Sequence, residues 1–292
     1  MRNFLRDRRN MFKLGALGLG GAALAGAALS AQRAAAQAAP GSILRAVLDR
    51  GKLLVGTGST NAPWHFENEK GELVGMDIAM AQILAKGLFD DEKKVEFVRQ
   101  DPAQRIPNIN TGKVDIVIQF MTVSPARAQL VNFTRPYYVE GVSLLTRPDS
   151  DKKTFDALLK AGSGARVSIL QNVDADLTVK GALPQAAVMQ LDTQANVIQA
   201  LDSKRVDAAA VDLSTVWWLA KRNPDKYADA GKGWFSMLYS AALKQGDPDW
   251  LRFVNTTFEV AMYGHQNAIY DKALSDFFGL KPPVREPGLP RI

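Results

Sequence analysis

Short apolar segments alternate with helical segments along most of this 292-residue chain. Because buried strands are short apolar runs and amphipathic helices are longer, the two can be told apart by length and periodicity. Strand-like runs occur at 52–55, 94–98, 114–119, 166–170 and 206–211, and helical patterns at 43–49, 78–87, 106–110 and 195–201. Ser42 and Asp77 are the predicted N-caps of the first two helices. This alternation predicts an α/β fold with helices packed on a sheet.

Two segments of the chain contain the same pattern of elements in the same order. Residues 108–118 and 200–211 each run from a helix through a small-residue stop and a basic residue into Val-Asp and an apolar strand. Two Rossmann-like lobes of one design would produce this repeat, although a match this short also arises by chance. Ligands bind beyond the carboxyl ends of strands in such sheets, so we expect a cleft lined by 56–61, which is interpreted as a loop, and by 119–122, 170–174 and 212–213.

Residues 1–38 have the features of an export signal. Basic residues precede an apolar Gly/Ala/Leu run at 14–29, and Ala36-Gln37-Ala38 supplies a cleavage pattern. Arg8-Arg9, followed by Asn10 to Lys13, resembles the twin-arginine (Tat) motif. A membrane anchor is the alternative, but the apolar run is shorter than the roughly 20 residues that a span needs. The sequence therefore predicts a Tat-type signal peptide and a periplasmic protein.

The composition excludes several classes of site. The chain has no cysteine, which excludes disulfides, thiolate zinc sites and thiol nucleophiles, and two histidines are too few for a multi-histidine metal site. The net charge of +6 would suit nucleic acid, but 1–38 hold six of the 36 basic residues and one of the 30 acidic residues. About +1 remains without them, so we expect no nucleic-acid partner. The residue counts predict no metal site, and we expect no cofactor.

Several motifs occur in a fixed order between Ile43 and Gly279. They are Ala62-Pro63-Trp64, 71–79, 112–115, 121–127, 131–138, 206–212, 244–248 and 270–279. In this order they resemble the periplasmic solute-binding proteins of amino-acid ABC transporters. The resemblance implies a periplasmic binding protein-like type II fold, in which two hinge strands join two lobes. It also implies that the protein captures an amino acid between its lobes, does no chemistry, and delivers the ligand to a membrane permease.

The same resemblance implies a domain organisation. Lobe 1 would comprise 39–138 and 240–281, lobe 2 would comprise 139–239, and 282–292 would form a C-terminal tail. We expect a monomer.

The resemblance also implies the contacts of an amino-acid clamp. Arg127 stands where a guanidinium holds the ligand α-carboxylate, helped by the hydroxyl and amide of Thr122. The carbonyl of Phe120 would face the α-ammonium, and Asp212 from the second lobe would pair with it. An arginine fork matches a carboxylate through two parallel hydrogen bonds. Asp212 could instead cap a helix, and Arg127 could be a surface arginine at a helix start.

The pocket for the ligand side chain departs from the family pattern. Asn61 stands where an aromatic residue often stacks on the ligand, and Gly58 where an acid is common. Asn172-Val173-Asp174 replaces a usual Gly-Thr-Thr in the second-lobe loop, and Trp64 would line the cleft or support its wall. Asn61 and Asp174 suit a polar or cationic side chain, and the altered loop leaves open a ligand that is not a standard amino acid.

An enzyme on the same scaffold is the second interpretation. The sequence is also similar to periplasmic cyclohexadienyl dehydratases, which convert prephenate or arogenate. Such an enzyme needs a general acid or base in its cleft. Asp174 is the one carboxylate that the clamp leaves without a role, so it is the candidate for this step.

Overall fold

The computed structural model describes residues 41–172 and 174–288. The predicted signal peptide at 1–38 and the end of the predicted tail, 289–292, lie outside these ranges. The strands of the described chain form a ten-stranded sheet and a small three-stranded sheet, so the α/β prediction is confirmed. None of the helices in these ranges has the length and apolar character that crossing a bilayer requires.

The strands are short. They are β1 Leu53–Thr57, β2 Thr60–Asn61, β3 His65–Glu67, β4 Leu73–Val74, β5 Val95–Arg99, β6 Ile116–Thr122, β7 Asn132–Phe133, β8 Tyr138–Thr146, β9 Arg166–Leu170, β10 Ala187–Leu191, β11 Ala208–Asp212, β12 Ala228–Asp229 and β13 Trp234–Leu243. The large sheet has the order β10-β9-β11-β8-β13-β6-β1-β5, with β12 beside β8 and β7 beside β13, and β2-β3-β4 form the small sheet.

Helices separate most of the strands of the large sheet. They are α1 Ile43–Arg50, α2 Met76–Phe89, α3 Arg105–Asn110, α4 Pro125–Ala128, α5 Phe155–Ala161, α6 Ala175–Ala182, α7 Gln194–Asp202, α8 Leu213–Arg222, α9 Pro248–Tyr263 and α10 Ala268–Ala273. Pro102–Gln104 and Gly162–Gly164 form 3₁₀ turns, and Leu274–Phe278 form a π-helical turn. As predicted, Ser42 caps α1, because its hydroxyl accepts a hydrogen bond from the amide of Leu44.

The large sheet consists of two halves with one design. In the first half β5, β1 and β6 are parallel, and β13 runs antiparallel to β6. In the second half β10, β9 and β11 are parallel, and β8 runs antiparallel to β11. This arrangement confirms the prediction of two Rossmann-like lobes that are joined by two hinge strands.

The hinge strands are β8 and β13, which pair with each other between the two halves. Strand β8 pairs with β13 from Tyr138 to Val142 and with β11 from Val142 to Thr146. Strand β13 pairs with β8 from Trp234 to Tyr239 and then continues against β6. Along its length, each hinge strand therefore passes from one half of the large sheet to the other. The lobe boundaries near 138 and 239 remain a prediction.

The interpretation of 56–61 as a loop is wrong. Strand β1 continues through Gly56 and Thr57, and 60–61 form a strand that pairs with β3. Glycine at position 56 allows a close approach, because a Cβ there would lie 2.7 Å from Nε2 of Gln100. Gly56 interrupts the apolar pattern that predicts a strand. Its lack of a side chain lets Gln100 pack closely against β1.

The interpretation of Asp77 as a helix cap is also wrong. Helix α2 begins at Met76, and the residue before it is Gly75, which has a φ of 128°. A Cβ on Gly75 would lie 2.2 Å from the carbonyl oxygen of Trp64. Because the helix begins two residues earlier than predicted, Asp77 lies in its first turn, and the side chain is completely buried.

The buried carboxylate of Asp77 accepts three hydrogen bonds. Its Oδ2 accepts from Nδ1 of His65 at 2.7 Å and from the amide of Phe120 at 2.9 Å, and its Oδ1 accepts from the hydroxyl of Tyr137 at 2.9 Å. The dipole of α2 also favours a negative charge in its first turn. Burial and this carboxylate together raise the pKa of Tyr137 well above its usual value. Asp77 thus joins β3, β6 and the segment that leads into β8.

We expect Asp77→Ala to destabilise the fold by about 3 kcal/mol or more, because each of the three donors would lose its buried acceptor. Chemical denaturation of the purified protein measures this change. Asp156→Ala is the matched control, since Asp156 also lies in the first turn of a helix but is exposed. Equal stability of the two variants would contradict the structural role of Asp77.

Candidate ligand-binding site

A cavity lies where strands from both halves of the sheet end. We call it the clamp cavity, and it brings together six of the eight predicted site residues: Phe120, Thr122, Arg127, Asn172, Asp174 and Asp212. Phe120 and Thr122 belong to the end of β6, and Asp212 is the last residue of β11. The cavity therefore lies at the carboxyl ends of strands, which is where a ligand site is expected.

Arg127 lies on the one-turn helix α4, directly after β6. The hydroxyl of Ser124 caps this turn by accepting from the amide of Arg127. The guanidinium donates from Nη1 to the carbonyl of Thr122 at 2.8 Å. Burial lowers the pKa of Arg127, and the nearby charge of Asp174 opposes this effect. Since one bond uses only one of five N–H donors, the guanidinium retains donors for a ligand.

Asp212 faces the same cavity from the second half of the sheet. It precedes α8, but its side chain makes no capping bond. Its Oδ1 accepts from the hydroxyl of Tyr239 at 2.8 Å. Its Oδ2 is buried and has no hydrogen-bond partner within the described ranges. An unpaired buried carboxylate oxygen is costly, so this atom is suited to a ligand donor.

A second carboxylate, Glu140 of β8, lies close to Asp212. Glu140 accepts from the hydroxyl of Ser214 at 2.6 Å and from the amides of Gly141 and Ser214 at 2.9 and 3.4 Å. Burial and the charge of Glu140 raise the pKa of Asp212 well above its usual value. Burial also raises the pKa of Glu140, and its hydrogen bonds from Ser214 and Gly141 oppose this effect.

The end of β6 has an unusual backbone. Phe120 has a φ of 35°, and its amide donates to Asp77. Its ring stacks on that of His65 with centroids 4.7 Å apart. The hydroxyl of Thr122 lies 3.6 Å from the sulfur of Met237. Phe120 and Thr122 therefore line the cavity where β6 turns towards Arg127.

The loop after β9 contributes Asn172 and Asp174. The amide of Asn172 donates to the carbonyl of Leu170 at 2.9 Å, and its oxygen accepts from the amide of Asp174 at 2.9 Å. Asn172 thus uses its side chain to hold the loop, while Asp174 is exposed and lines the cavity. Residue 173 lies outside the described residues.

Trp64 and Asn61 do not line the clamp cavity. Trp64 is completely buried, its indole donates to Ser214 at 3.0 Å, and its ring packs edge-on against Tyr138 and Tyr239. It supports the wall of the site and lines neither the clamp cavity nor the one beside it. Asn61 lines this neighbouring cavity.

We call the neighbouring cavity, of about 210 Å³, the side cavity. It is lined by residues from both halves of the sheet, among them Asn61, His65, Gln100, Gln119 and Gln194. It shares Phe120, Leu170 and Gln194 with the clamp cavity, so the two spaces adjoin at these residues.

Arg105 is a cavity residue that the sequence patterns did not identify. It starts α3, is almost fully buried and lines the clamp cavity. Its Nε donates to the carbonyl of Pro102 at 2.9 Å and its Nη1 to the carbonyl of Gln119 at 3.1 Å. Burial and the nearby charge of Arg127 lower the pKa of Arg105 to about 10. A single arginine at a helix start is ordinarily exposed, so no local pattern marks this one as buried.

The described residues contain no group of three or more His, Cys, Asp or Glu side chains that could hold a metal ion. The polar groups of the two cavities are instead hydrogen-bond donors and acceptors, together with arginines and aspartates, among them Arg105, Arg127, Asp174 and Asp212. Such an arrangement can bind a small polar molecule that carries complementary charges.

Known proteins support this interpretation of the fold. The glutamine-binding protein GlnH of an ABC transporter from Bacillus subtilis is 27% identical over 235 residues, which cover 80% of this chain and 85% of that protein. The L-cystine-binding protein TcyJ of Escherichia coli is 28% identical over 233 residues, or 79% of this chain and 85% of that protein.

A crystal structure and a family profile extend the comparison. The structure of an ancestral amino acid-binding protein, a precursor of cyclohexadienyl dehydratase, matches with a TM-score of 0.71 and 30% identity, covering 81% of this chain and 100% of that chain. The profile of the bacterial extracellular solute-binding proteins, family 3, matches residues 53–276. This match spans most of the chain and contains every residue of the two cavities. The chain therefore belongs to the bacterial extracellular solute-binding proteins, family 3.

Proposed function

We propose that this protein captures an α-amino acid in the clamp cavity and delivers it to the permease of an ABC transporter. One observation carries the proposal: a buried oxygen of Asp212 lacks a donor, and the guanidinium of Arg127 lines the same cavity. An α-amino acid has an ammonium and a carboxylate on one carbon, so it can satisfy both groups at once.

The proposed contacts follow from the chemistry of each group. Arg127 binds the α-carboxylate, with help from the hydroxyl and amide of Thr122. Asp212 and the carbonyl of Phe120 accept from the α-ammonium. Asn172 and Asp174 close the site from the loop after β9. Charge-assisted hydrogen bonds contribute roughly 1.5–3 kcal/mol each, so a few of them support a Kd of about 1 μM, or −8.2 kcal/mol.

A ligand held in this way would stabilise contact between the lobes. We propose 39–138 with 240–281 as lobe 1, 139–239 as lobe 2, and 282–292 as a tail. Arg127 then belongs to lobe 1 and Asp212 to lobe 2. Direct contacts cross this boundary as well, since the hydroxyl of Thr215 donates to the carbonyl of Ala62 at 2.8 Å. A ligand that binds both lobes shifts the equilibrium towards the closed arrangement.

The proposal includes a location and a partner. Members of this family are extracellular by description, and GlnH is named as part of an ABC transporter. These descriptions support a periplasmic location, and we propose in addition that the protein is a monomer exported by a Tat-type signal at 1–38, as the sequence predicts. The named relatives are binding proteins, and the candidate acid Asp174 is exposed, so the dehydratase interpretation is not carried further.

A melting experiment tests the proposal as a whole. The purified protein is heated with each of the twenty amino acids and with prephenate. A ligand at 100 times its Kd should add about 2.7 kcal/mol to the free energy of unfolding, which appears as a higher melting temperature. Stabilisation by prephenate alone, or by no α-amino acid, would overturn the proposal.

We expect Arg127→Lys to weaken binding of the best ligand by about 100-fold while the fold persists, because lysine cannot form the bidentate pair with a carboxylate. Isothermal titration calorimetry measures the affinity, and circular dichroism monitors the fold. Arg252→Lys is the control, since Arg252 is an exposed arginine on α9. Unchanged affinity in Arg127→Lys would reject this residue as the carboxylate clamp.

We expect affinity to rise with pH because of Asp212. Its pKa is raised in the free protein, whereas the ligand ammonium would favour its ionised form. Binding should therefore release a proton, and affinity should increase from about pH 4, the usual range of Asp, up to the raised pKa of the free protein. Above that value the affinity should level off, as long as the ligand ammonium stays protonated.

Calorimetry in buffers with different ionisation enthalpies counts the released protons. Asp212→Asn should weaken binding and remove this release, whereas Asp225→Asn, a change of an exposed residue, should leave it intact. Uptake of a proton on binding by the unmodified protein would contradict the assignment.

A further inference from the structure

The side cavity is where the side chain of a clamped amino acid would lie. Phe120, Leu170 and Gln194 line both cavities, so they mark the passage from one to the other. A ligand whose α-groups bind Arg127 and Asp212 would extend past these residues. The polar atoms of the side cavity therefore decide which side chains bind well.

Two donors in the side cavity lack partners. They are Nδ2 of Asn61 and Nε2 of Gln194, both buried and without a hydrogen-bond partner in 41–172 or 174–288. The residues are 1% and 6% exposed. Asn61 belongs to β2 and Gln194 is the first residue of α7, so the donors come from different lobes. Buried unpaired donors are costly, and a ligand oxygen between them would accept from both.

The two other buried amides of the side cavity, those of Gln100 and Gln119, already have partners. Gln100 donates to the side-chain oxygen of Gln119 at 3.0 Å and accepts from the amide of Asn108 at 2.6 Å. Gln119 in turn donates to the backbone carbonyl of Gln100 at 3.2 Å. These bonds hold both glutamines in place and leave Asn61 and Gln194 as the donors for a ligand.

His65 supplies an acceptor in the same cavity. Its Nδ1 bonds Asp77, and burial lowers the pKa of the ring, so the ring is neutral and Nε2 carries a lone pair. Gly58 packs against this edge, where a Cβ would lie 2.8 Å from Nε2. Because a Cβ at position 58 would crowd this edge, glycine leaves the edge of the ring uncovered.

The charges around the side cavity do not suit a charged side chain. The carboxylate of Asp77 lies behind His65 and already accepts three bonds. Arg99 forms an ion pair with Glu67, and Asp101 is exposed at the rim. A cationic side chain would be buried without a counter-charge, which is costly. A carboxylate would place a negative oxygen against the lone pair of His65.

We propose that the side cavity selects a neutral side chain that ends in a primary carboxamide. The amide oxygen accepts from Asn61 and Gln194, and the amide nitrogen donates to Nε2 of His65. This inference rests on the proposed function, because the clamp must first hold the α-groups. It narrows the expectation of a polar or cationic side chain, which relied on Asn61 and Asp174, to a neutral polar one, because Asp174 lines the clamp cavity and Asn61 the side cavity.

The first test compares ligands on the purified protein. Calorimetry is performed with L-glutamine, L-asparagine, L-glutamate, L-lysine and L-alanine. One of the two amides should bind at least about tenfold more tightly than the other three ligands, since only an amide gives a partner to each buried polar group of the side cavity. If glutamate, lysine or alanine binds as tightly as the better of the two amides, the inference is overturned while the amino-acid clamp stands. If no α-amino acid binds, both proposals fail.

The second test replaces the donor amide of Gln194 with a carboxylate of nearly the same shape. Gln194→Glu should weaken the binding of the preferred amide by about tenfold and strengthen that of lysine, because it removes a donor and adds a carboxylate. Gln199→Glu is the matched control, since Gln199 lies on the exposed side of the same helix. An unchanged ratio of amide to lysine affinity in Gln194→Glu, with the fold intact by circular dichroism, would overturn the inference.

Discussion

The hydrogen bonds of Asp77 hold together the parts of the protein that bear the cavities. A carboxylate is tolerated without solvent only when donors surround it, and Asp77 has three, from His65, Phe120 and Tyr137. His65 forms a wall of the side cavity, and Phe120 lies where β6 leaves the sheet for the clamp. Tyr137 directly precedes the hinge strand β8. One buried charge thus sets the positions of both cavities and of the hinge relative to lobe 1.

The polar groups that line the two cavities have fewer hydrogen-bond partners than those of this network. Asp77 and Glu140 each accept three hydrogen bonds, whereas Asp212 accepts one from Tyr239 and leaves its second oxygen bare. Buried polar groups in proteins nearly always have partners. Several groups without partners line adjoining cavities here, namely those of Asp212, Asn61 and Gln194, and this supports the proposal that a ligand binds there.

Much of the fold could be predicted from local patterns, because apolar periodicity reports which segments are buried. The strands that end at Thr122, Leu170 and Asp212 were recognised in this way, and their ends border the clamp cavity. Arg105 and Gln194 could not be found, because each starts a helix and only the distant chain packed around it makes it buried. The role of Asp77 was mistaken for the same reason, since two of its donors lie 43 and 60 residues away.

The hinge strands also supply the environment of the proposed ammonium site. Glu140 belongs to β8 and raises the pKa of Asp212, while Tyr239 belongs to β13 and donates to it. A change in the relative position of these strands would therefore change both the charge state and the donor of Asp212. An ammonium that satisfies Asp212 stabilises the strand arrangement in which its oxygen faces the clamp. Ligand charge and lobe position are then coupled through the same carboxylate, because the affinity of the site depends on the geometry that the ligand stabilises.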